Sequence, residues 1–233
     1  MDNKTVQQIL NLNRNFYESY ADQFSKTRQS PWQGWVQIIP ILKTFKRPSL
    51  LDVGCGNGRF YAFLQKEINS DIDYTGIDNS ASLIKYAQNK YPNTKFELTN
   101  FLKMSDTVTN KYNAIVCFGI MHHIPSKELR KKFLEDIAKK LNDNAILVLT
   151  LWTEKPHESK TLVAQSLSME KNDYVTIWDK DATKTRYVHI FDDQEIGEIK
   201  TSCQQLNLKL LKSYNADGPK RNSNLYLIYT NEK

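Results

Sequence analysis

The stretch Ser49–Ile68, SLLDVGCGNGRFYAFLQKEI, decides the fold. Its first five residues form a short apolar run of the kind a buried parallel strand uses, and its last ten carry helical periodicity. Between them Gly54, Gly56 and Gly58 fall within five positions, in a chain with only 8 glycines among 233 residues. The usual glycine share is about 7%, so this concentration tells more than the motif alone. Glycines at the end of a first strand let backbone approach a ligand closely, where the next helix points its free N–H groups.

The pattern then repeats outward from this turn. Strands are predicted at Ile72–Ile77, Lys95–Leu98, Tyr112–Phe118 and Ala145–Trp152, and helices at Ser80–Tyr91 and Ser126–Leu141. Strands alternating with helices mean a doubly wound parallel sheet. A polar stretch follows Trp152 to about Arg186, read as an excursion over the sheet's carboxyl edge, where ligands bind in such sheets. After a helix at Asp192–Leu206 come two strand-like runs, Leu208–Tyr214 and Asn224–Thr230; the short, turn-rich link between them makes the pair antiparallel. Ahead of the sheet, Val6–Phe24 and Trp32–Phe45 read as two helices. The expectation is an α/β, Rossmann-like doubly wound sheet of seven strands in a single domain, with the last strand antiparallel. Residues 1–47 form an N-terminal helical cap, 48–152 a cofactor-binding core, 153–191 a substrate-side insertion, and 192–233 the C-terminal helix and antiparallel strands.

Composition excludes several classes. Hydrophobic residues at 40% and charged residues at 25% are ordinary globular values. The longest uncharged stretch, Tyr112–Ser126, is shorter than the ~20 apolar residues that a membrane helix needs. The first ten residues lack the basic and apolar regions of a secretory signal, and a cytoplasmic location is expected. Cys55, Cys117 and Cys203 are too widely spaced for a zinc knuckle and are assigned no metal and no disulfide. A net charge of +6 permits a polyanionic partner without requiring one.

The dinucleotide fingerprint asks for a third glycine where this chain has Arg59, so a pyrophosphate turn fits poorly. Asp78 closes the second strand, where a carboxylate can take both ribose hydroxyls. The combination is an adenosine pocket without a phosphate grip, although a tight turn and a helix cap would use the same residues.

Asp52–Gly58, DVGCGNG, and Gly76-Ile77-Asp78 resemble the first and second motifs of class I S-adenosylmethionine-dependent methyltransferases, which have a seventh, antiparallel strand at the sheet's edge. By that resemblance Gly54 to Gly58, with Cys55, Gly56 and Asn57, line the methionine and ribose. Asp78 takes the ribose hydroxyls, Asn79 the adenine side, and Asn100-Phe101 the adenine, with Cys117 completing the cofactor set. Tyr20–Trp32, with F-S-x-T-R-x-x-P-W at its centre, resembles the entry segment of the tRNA wobble-uridine carboxymethyl methyltransferases. The resemblance continues in Gly119–Ile137, Leu147–Pro156 and Thr185–Ile196. Departures occur at Gln33, Asn142-Asp143-Asn144 and Asp192–Glu195, where that family has proline or glycine turns. Members of that family turn 5-carboxymethyluridine into its methyl ester, and some depend on a small zinc-binding activator subunit. The resemblance therefore implies tRNA as a partner and such a subunit as a possible one.

The residue types suit this chemistry. A carboxylate is already nucleophilic at neutral pH, so its methylation needs alignment and partial desolvation more than a strong base. Arg28 offers a planar fork for a carboxylate, the cofactor's in preference to the acceptor's. His122 is the candidate donor to an acceptor oxygen, and with Arg28 makes the catalytic pair; of His122 and His123 one faces the pocket and its neighbour points elsewhere, and His123 is assigned with Trp32 to the substrate side. Trp32, Trp152 and Trp178 can stack a base. His189 and Phe191 are expected to close the pocket from its far side, and Lys220 and Arg221 to contact RNA phosphates. A metabolite methyltransferase, and a methyltransferase-fold protein that binds without transferring, are the competing readings.

Overall fold

The computed structural model describes residues 1–68, 71–156, 167–178 and 181–232. Strand β1 (Ser49–Val53) pairs in parallel with β2 (Asp73–Asp78) and β4 (Tyr112–Cys117); β2 pairs with β3 (Lys95–Leu98), and β4 with β5 (Leu141–Trp152). Strands β8 (Leu208–Ala216) and β9 (Asn224–Asn231) complete a seven-stranded sheet in the order β3-β2-β1-β4-β5-β9-β8. Strand β9, the last in the chain, runs antiparallel to both neighbours. It does not lie at the edge, as expected, but between β5 and β8. The two sequences explain this position: NLYLIYTN is buried almost throughout, whereas LKLLKSYNA leaves Lys209 and Lys212 in water and tolerates the edge.

Because side chains alternate across a strand, β1 supplies Leu51 and Val53 to one face and Leu50 to the other, and β4 divides Ile115 and Cys117 from Ala114 and Val116. The first face is covered by α6 (Met104–Thr107), α7 (Lys127–Ala138) and α8 (Asp193–Gln205); the second by α3 (Ile39–Leu42), α4 (Arg59–Glu67) and α5 (Ala81–Lys90). Helix starts are fixed locally. Ser80 Oγ accepts from Leu83 N, Ser126 Oγ from Leu129 N, and Asp192 with Glu195 forms a capping box.

The N-terminal cap differs from the expectation in its breaks. Val6–Phe24 is divided at Tyr20 into α1 (Asn3–Ser19) and α2 (Ala21–Thr27). In place of one helix over Trp32–Phe45 there is a 3-10 turn, Gln33–Ile38, followed by the single α turn α3, because Pro40 cannot donate to an upstream carbonyl and tolerates only a helix start. Strand β5 begins at Leu141, before the expected Ala145, with a register shift between Tyr112 and Ala114 absorbing the extra residues.

The polar stretch after Trp152 contains an antiparallel pair that was not expected, β6 (Asp173–Trp178) and β7 (Asp181–His189). Within that insertion, residues 157–166 and 179–180 lie outside the described residues. Helix α1 and β7 together roof the carboxyl edge of the sheet. Asn13 joins them, its Oδ1 accepting from Tyr187 N at 2.8 Å and its Nδ2 donating to Tyr187 O at 3.2 Å. Glu18 ties the roof to α5 by accepting from Ser82 Oγ at 2.7 Å and from Ala81 N at 2.5 Å. Among the described residues no helix is long and apolar enough to cross a membrane.

Candidate active site

A cleft of ≈ 660 Å³ opens beneath this roof, at the carboxyl ends of β1, β2 and β4. One side is the glycine turn. Gly54 N and Cys55 N both donate to Ile77 O, at 2.7 and 3.0 Å, which locks the turn against β2. Gly54 has φ +74°, and a Cβ there would stand 2.0 Å from Ile120 Cδ1, so both conformation and space require glycine. At Gly56 a Cβ would find no atom within 4 Å, and this open flank faces the cleft.

Asp78 sits across from it. Its Oδ2 accepts from Gly56 N and its Oδ1 from Ser80 N, each at 2.9 Å, so the carboxylate is fixed while each oxygen keeps a lone pair for a ligand hydroxyl. Burial raises its pKa, opposed by those backbone donors. Asn79 also lines the cleft, with Oδ1 accepting from Phe101 N at 3.2 Å. Leu83 and Phe101 form an apolar stretch of wall. Asn57 lines the turn and donates to the Arg28 carbonyl at 3.2 Å, which brings the Arg28 segment to the glycine loop. The Arg28 guanidinium is half-buried over Phe24.

Two residues of the expected cofactor set lie elsewhere. Asn100 is exposed, and its Oδ1 caps the following turn by accepting from Leu102 N. Cys117 is buried among the side chains of α7 and α8, because the alternation along β4 turns it to that face. Phe118 takes the place in the cleft wall that Cys117 does not reach.

The other side of the cleft is aromatic and cationic. His122 and His123 follow β4 in a 3-10 turn, Met121–His123, and both line the cleft. The His122 ring lies 4.2 Å from His123 and 4.8 Å from Trp152, and its Nδ1 is buried without a partner among the described residues. His123 has Nδ1 at 3.0 Å from Tyr187 O and Nε2 at 2.8 Å from Tyr17 Oη. Burial, then the Arg186 charge, pushes His123 down to about 3, and burial with His123 and Arg186 pushes His122 well below the usual imidazole range. Both rings are neutral at physiological pH. Trp32 packs over Gly119 and on Trp35, and the Arg59 guanidinium lies 5.3 Å from both indoles.

His189 does not close the pocket. It is fully buried, with Nδ1 at 2.7 Å from Asp173 and Nε2 at 2.8 Å from Glu195, tying the β6–β7 pair to α8. Lys220 and Arg221 are exposed on the β8–β9 turn, next to Gly218 and Ser223 of the cleft rim.

Asp52, Arg59, Tyr17 and Arg186 line the cleft without having been singled out in the sequence. Asp52 lies under the glycine turn, accepts from Tyr74 Oη at 2.6 Å and is pushed up to about 7 by burial. Its place inside DVGCGNG was the available signal, as was Arg59's immediately after it; Arg186 and Tyr17 carry none beyond their residue types.

A family model described as a methyltransferase domain matches residues 45–195. A tRNA (carboxymethyluridine(34)-5-O)-methyltransferase of Mus musculus is 26% identical over 163 residues, 67% of this chain and 23% of that protein. One from Arabidopsis thaliana is 24% identical over 70% of this chain and 37% of its own length. A carboxy-S-adenosyl-L-methionine synthase of Helicobacter pylori is 29% identical over 99 residues, 41% of each protein. The chain thus spans well under half the length of these relatives. Among solved structures, the CcbJ methyltransferase of Streptomyces caelestis superposes with a TM-score of 0.68 at 13% identity, covering 95% of this chain and 99% of that one. The 1,6-didemethyltoxoflavin-N1-methyltransferase of Burkholderia thailandensis, solved with S-adenosylhomocysteine, gives 0.66 at 13% identity over 99% and 90%. The chain belongs to the methyltransferase domain family and has the fold of S-adenosylmethionine-dependent methyltransferases.

Proposed function

We propose that the protein uses S-adenosylmethionine to esterify the carboxymethyl group of a modified wobble uridine in tRNA. The cofactor fits the residues present: the open flank at Gly56 admits it, Asp78 keeps lone pairs for ribose hydroxyls, Leu83 and Phe101 offer an apolar seat for adenine, and Arg28 a fork for the methionine carboxylate. When bound it supplies an electrophilic methyl group on a sulfonium.

The observation that carries the acceptor assignment is the weak basicity of the facing wall. His122 and His123 are held so far below the ordinary imidazole range that neither is suited to take a proton from a hydroxyl or an ammonium group. An acceptor that arrives as an anion needs no such base. What the wall does offer is cation, hydrogen-bond donor and aromatic surface, which suits a carboxylate on a nucleobase. The similarity to two carboxymethyluridine methyltransferases supports the same reading. In it Lys220 and Arg221 meet RNA phosphates at the rim, and a small zinc-binding activator subunit is a candidate partner.

A small-molecule acid or amine is the second reading, since the same fold is found in the 1,6-didemethyltoxoflavin-N1-methyltransferase. The two are separated by incubating the protein with labelled cofactor and total tRNA. The proposal expects label in the tRNA that mild alkali releases, since a methyl ester hydrolyses and an N-methyl or ether does not. Alkali-stable label, or label only in small molecules, refutes it.

A further inference from the structure

Arg186 projects from β7 into the cleft, half-buried, and is the cation that the wall of His122, His123 and Trp152 offers. Its guanidinium lies 5.5 Å from the Phe16 ring and 5.8 Å from the Trp152 ring, so aromatic surface covers it. The shortest hydrogen bonds around it set one direction. His123 Nδ1 lies 3.3 Å from the donor Asn13 Nδ2 but nearer, at 3.0 Å, to the Tyr187 carbonyl, which can only accept, and the shorter contact gives Nδ1 that ring's proton. His123 Nε2 must then accept, and Tyr17 Oη, 2.8 Å away, donates to it. The lone pairs of Tyr17 are left to receive Arg186 Nη1, at 2.9 Å.

Nη1 is the guanidinium nitrogen on the side-chain stem's side. The opposite edge, Nε–H with Nη2, presents two parallel N–H groups that match a carboxylate bidentately. Here Nε is buried with no partner among the described residues, as is His122 Nδ1 on the same wall, with Trp152 packed against both residues. Two unpartnered buried polar atoms around one ring are rare in folded proteins and call for a ligand or another explanation.

We infer that Arg186, oriented by Tyr17 and His123, is the anchor for the acceptor's carboxylate, with His122 beside it as a second hydrogen-bonding group. The assignment rests on the reading of the cleft as a methyltransferase site. It divides two anions between two cations. Arg28 is held to the glycine loop by Asn57 and serves the cofactor side, whereas Arg186 stands with Trp152 and His122 on the acceptor side. Like charges in one half-buried cleft repel, and the Arg186 charge contributes to lowering Arg28's pKa after burial, a cost that two bound anions remove. Esterification also cancels the charge that Arg186 holds, which loosens the product.

The test uses the whole protein saturated with S-adenosylhomocysteine and follows tryptophan fluorescence, since Trp152 lies against Arg186. The probes are 5-carboxymethyluridine, its neutral amide 5-carbamoylmethyluridine, and inorganic phosphate. The wild-type protein should bind the acid at least roughly tenfold more tightly than the amide, the scale of one charge-assisted hydrogen bond. Arg186→Met should abolish that preference while S-adenosylhomocysteine affinity stays within about twofold, Arg186→Lys should recover only a small part of it, and Tyr17→Phe should reduce it. An acid preference retained in Arg186→Met overturns the assignment alone, as does phosphate displacing the acid at equal concentration. Loss of S-adenosylhomocysteine affinity in folded Arg186→Met instead places this arginine on the cofactor. Failure of the wild-type protein to bind S-adenosylhomocysteine overturns the methyltransferase reading beneath it.

Discussion

Replacing Asp78 by alanine removes two kinds of interaction that can be measured separately. In the protein alone, Asp78 accepts from Gly56 N and Ser80 N at 2.9 Å each. Losing two such bonds costs about 1 kcal/mol each on average, partly offset by relief of the burial that raises this carboxylate's pKa, so the variant should unfold at most about 2 kcal/mol more easily, and urea titration gives this figure. In the complex, the same oxygens are assigned the ribose hydroxyls. A hydrogen bond to a charged group contributes about 1.5 to 3 kcal/mol, and each 1.4 kcal/mol is tenfold in affinity. S-adenosylhomocysteine should therefore bind roughly 10- to 150-fold more weakly by calorimetry, at a temperature where the variant is fully folded. Stability lost with affinity unchanged would show that Asp78 only pins the glycine turn, and the assigned cofactor seat would be wrong.

Asp52 should leave a signature in stability against pH. Its carboxyl is pushed up to about 7 from an ordinary 3.8, chiefly by burial, so between those values the native state holds a proton that the unfolded chain has released. Its contribution is full below about 3.8 and is lost as pH rises through about 7; Asp52→Asn should show a flatter melting temperature across that window, and an unchanged slope would contradict the assignment. Single-turnover methyl transfer should be nearly flat between about pH 7 and 9 because a carboxyl with an ordinary pKa near 4 is ionised throughout. A histidine limb near the free value of ~6.5 is not expected either, since His123 is held at about 3; a tenfold rise per pH unit would mean that deprotonation belongs to the chemical step. Reversing Lys220 and Arg221 together should weaken tRNA binding and reduce its salt dependence while leaving S-adenosylhomocysteine binding intact. Loss of both would assign the pair to the fold.

The sheet was legible because its information is local. Each central strand is a short apolar run bounded by turn residues, and the glycine cluster marks where the first helix must start. What escaped was set by partners distant in sequence. Whether β9 or β8 takes the edge depends on which has two buried faces, visible as lysines in LKLLKSY only once the two runs are compared. The β6–β7 pair escaped because β7, DATKTRYVH, is mostly polar and leaves the short apolar run of β6, DYVTIW, without an evident partner strand, and its burial comes from α1 and α8. Strand parity then decided the site. On β7, Tyr187 and His189 turn toward Asp173, while Arg186, just before them, turns to the cleft. On β4, parity took Cys117 to the core. Asn100 was spent on a local cap, which its side chain favours wherever a turn begins after it.

The account stands most directly on one measurement: nucleoside mass spectrometry of tRNA bearing 5-carboxymethyluridine at the wobble position, before and after incubation with the protein and S-adenosylmethionine. Conversion of that nucleoside to its methyl ester, with S-adenosylhomocysteine formed in equal amount, is the predicted result. An unmodified carboxymethyl group in a protein shown to bind the cofactor, or a methyl group appearing on any other nucleoside, would contradict it.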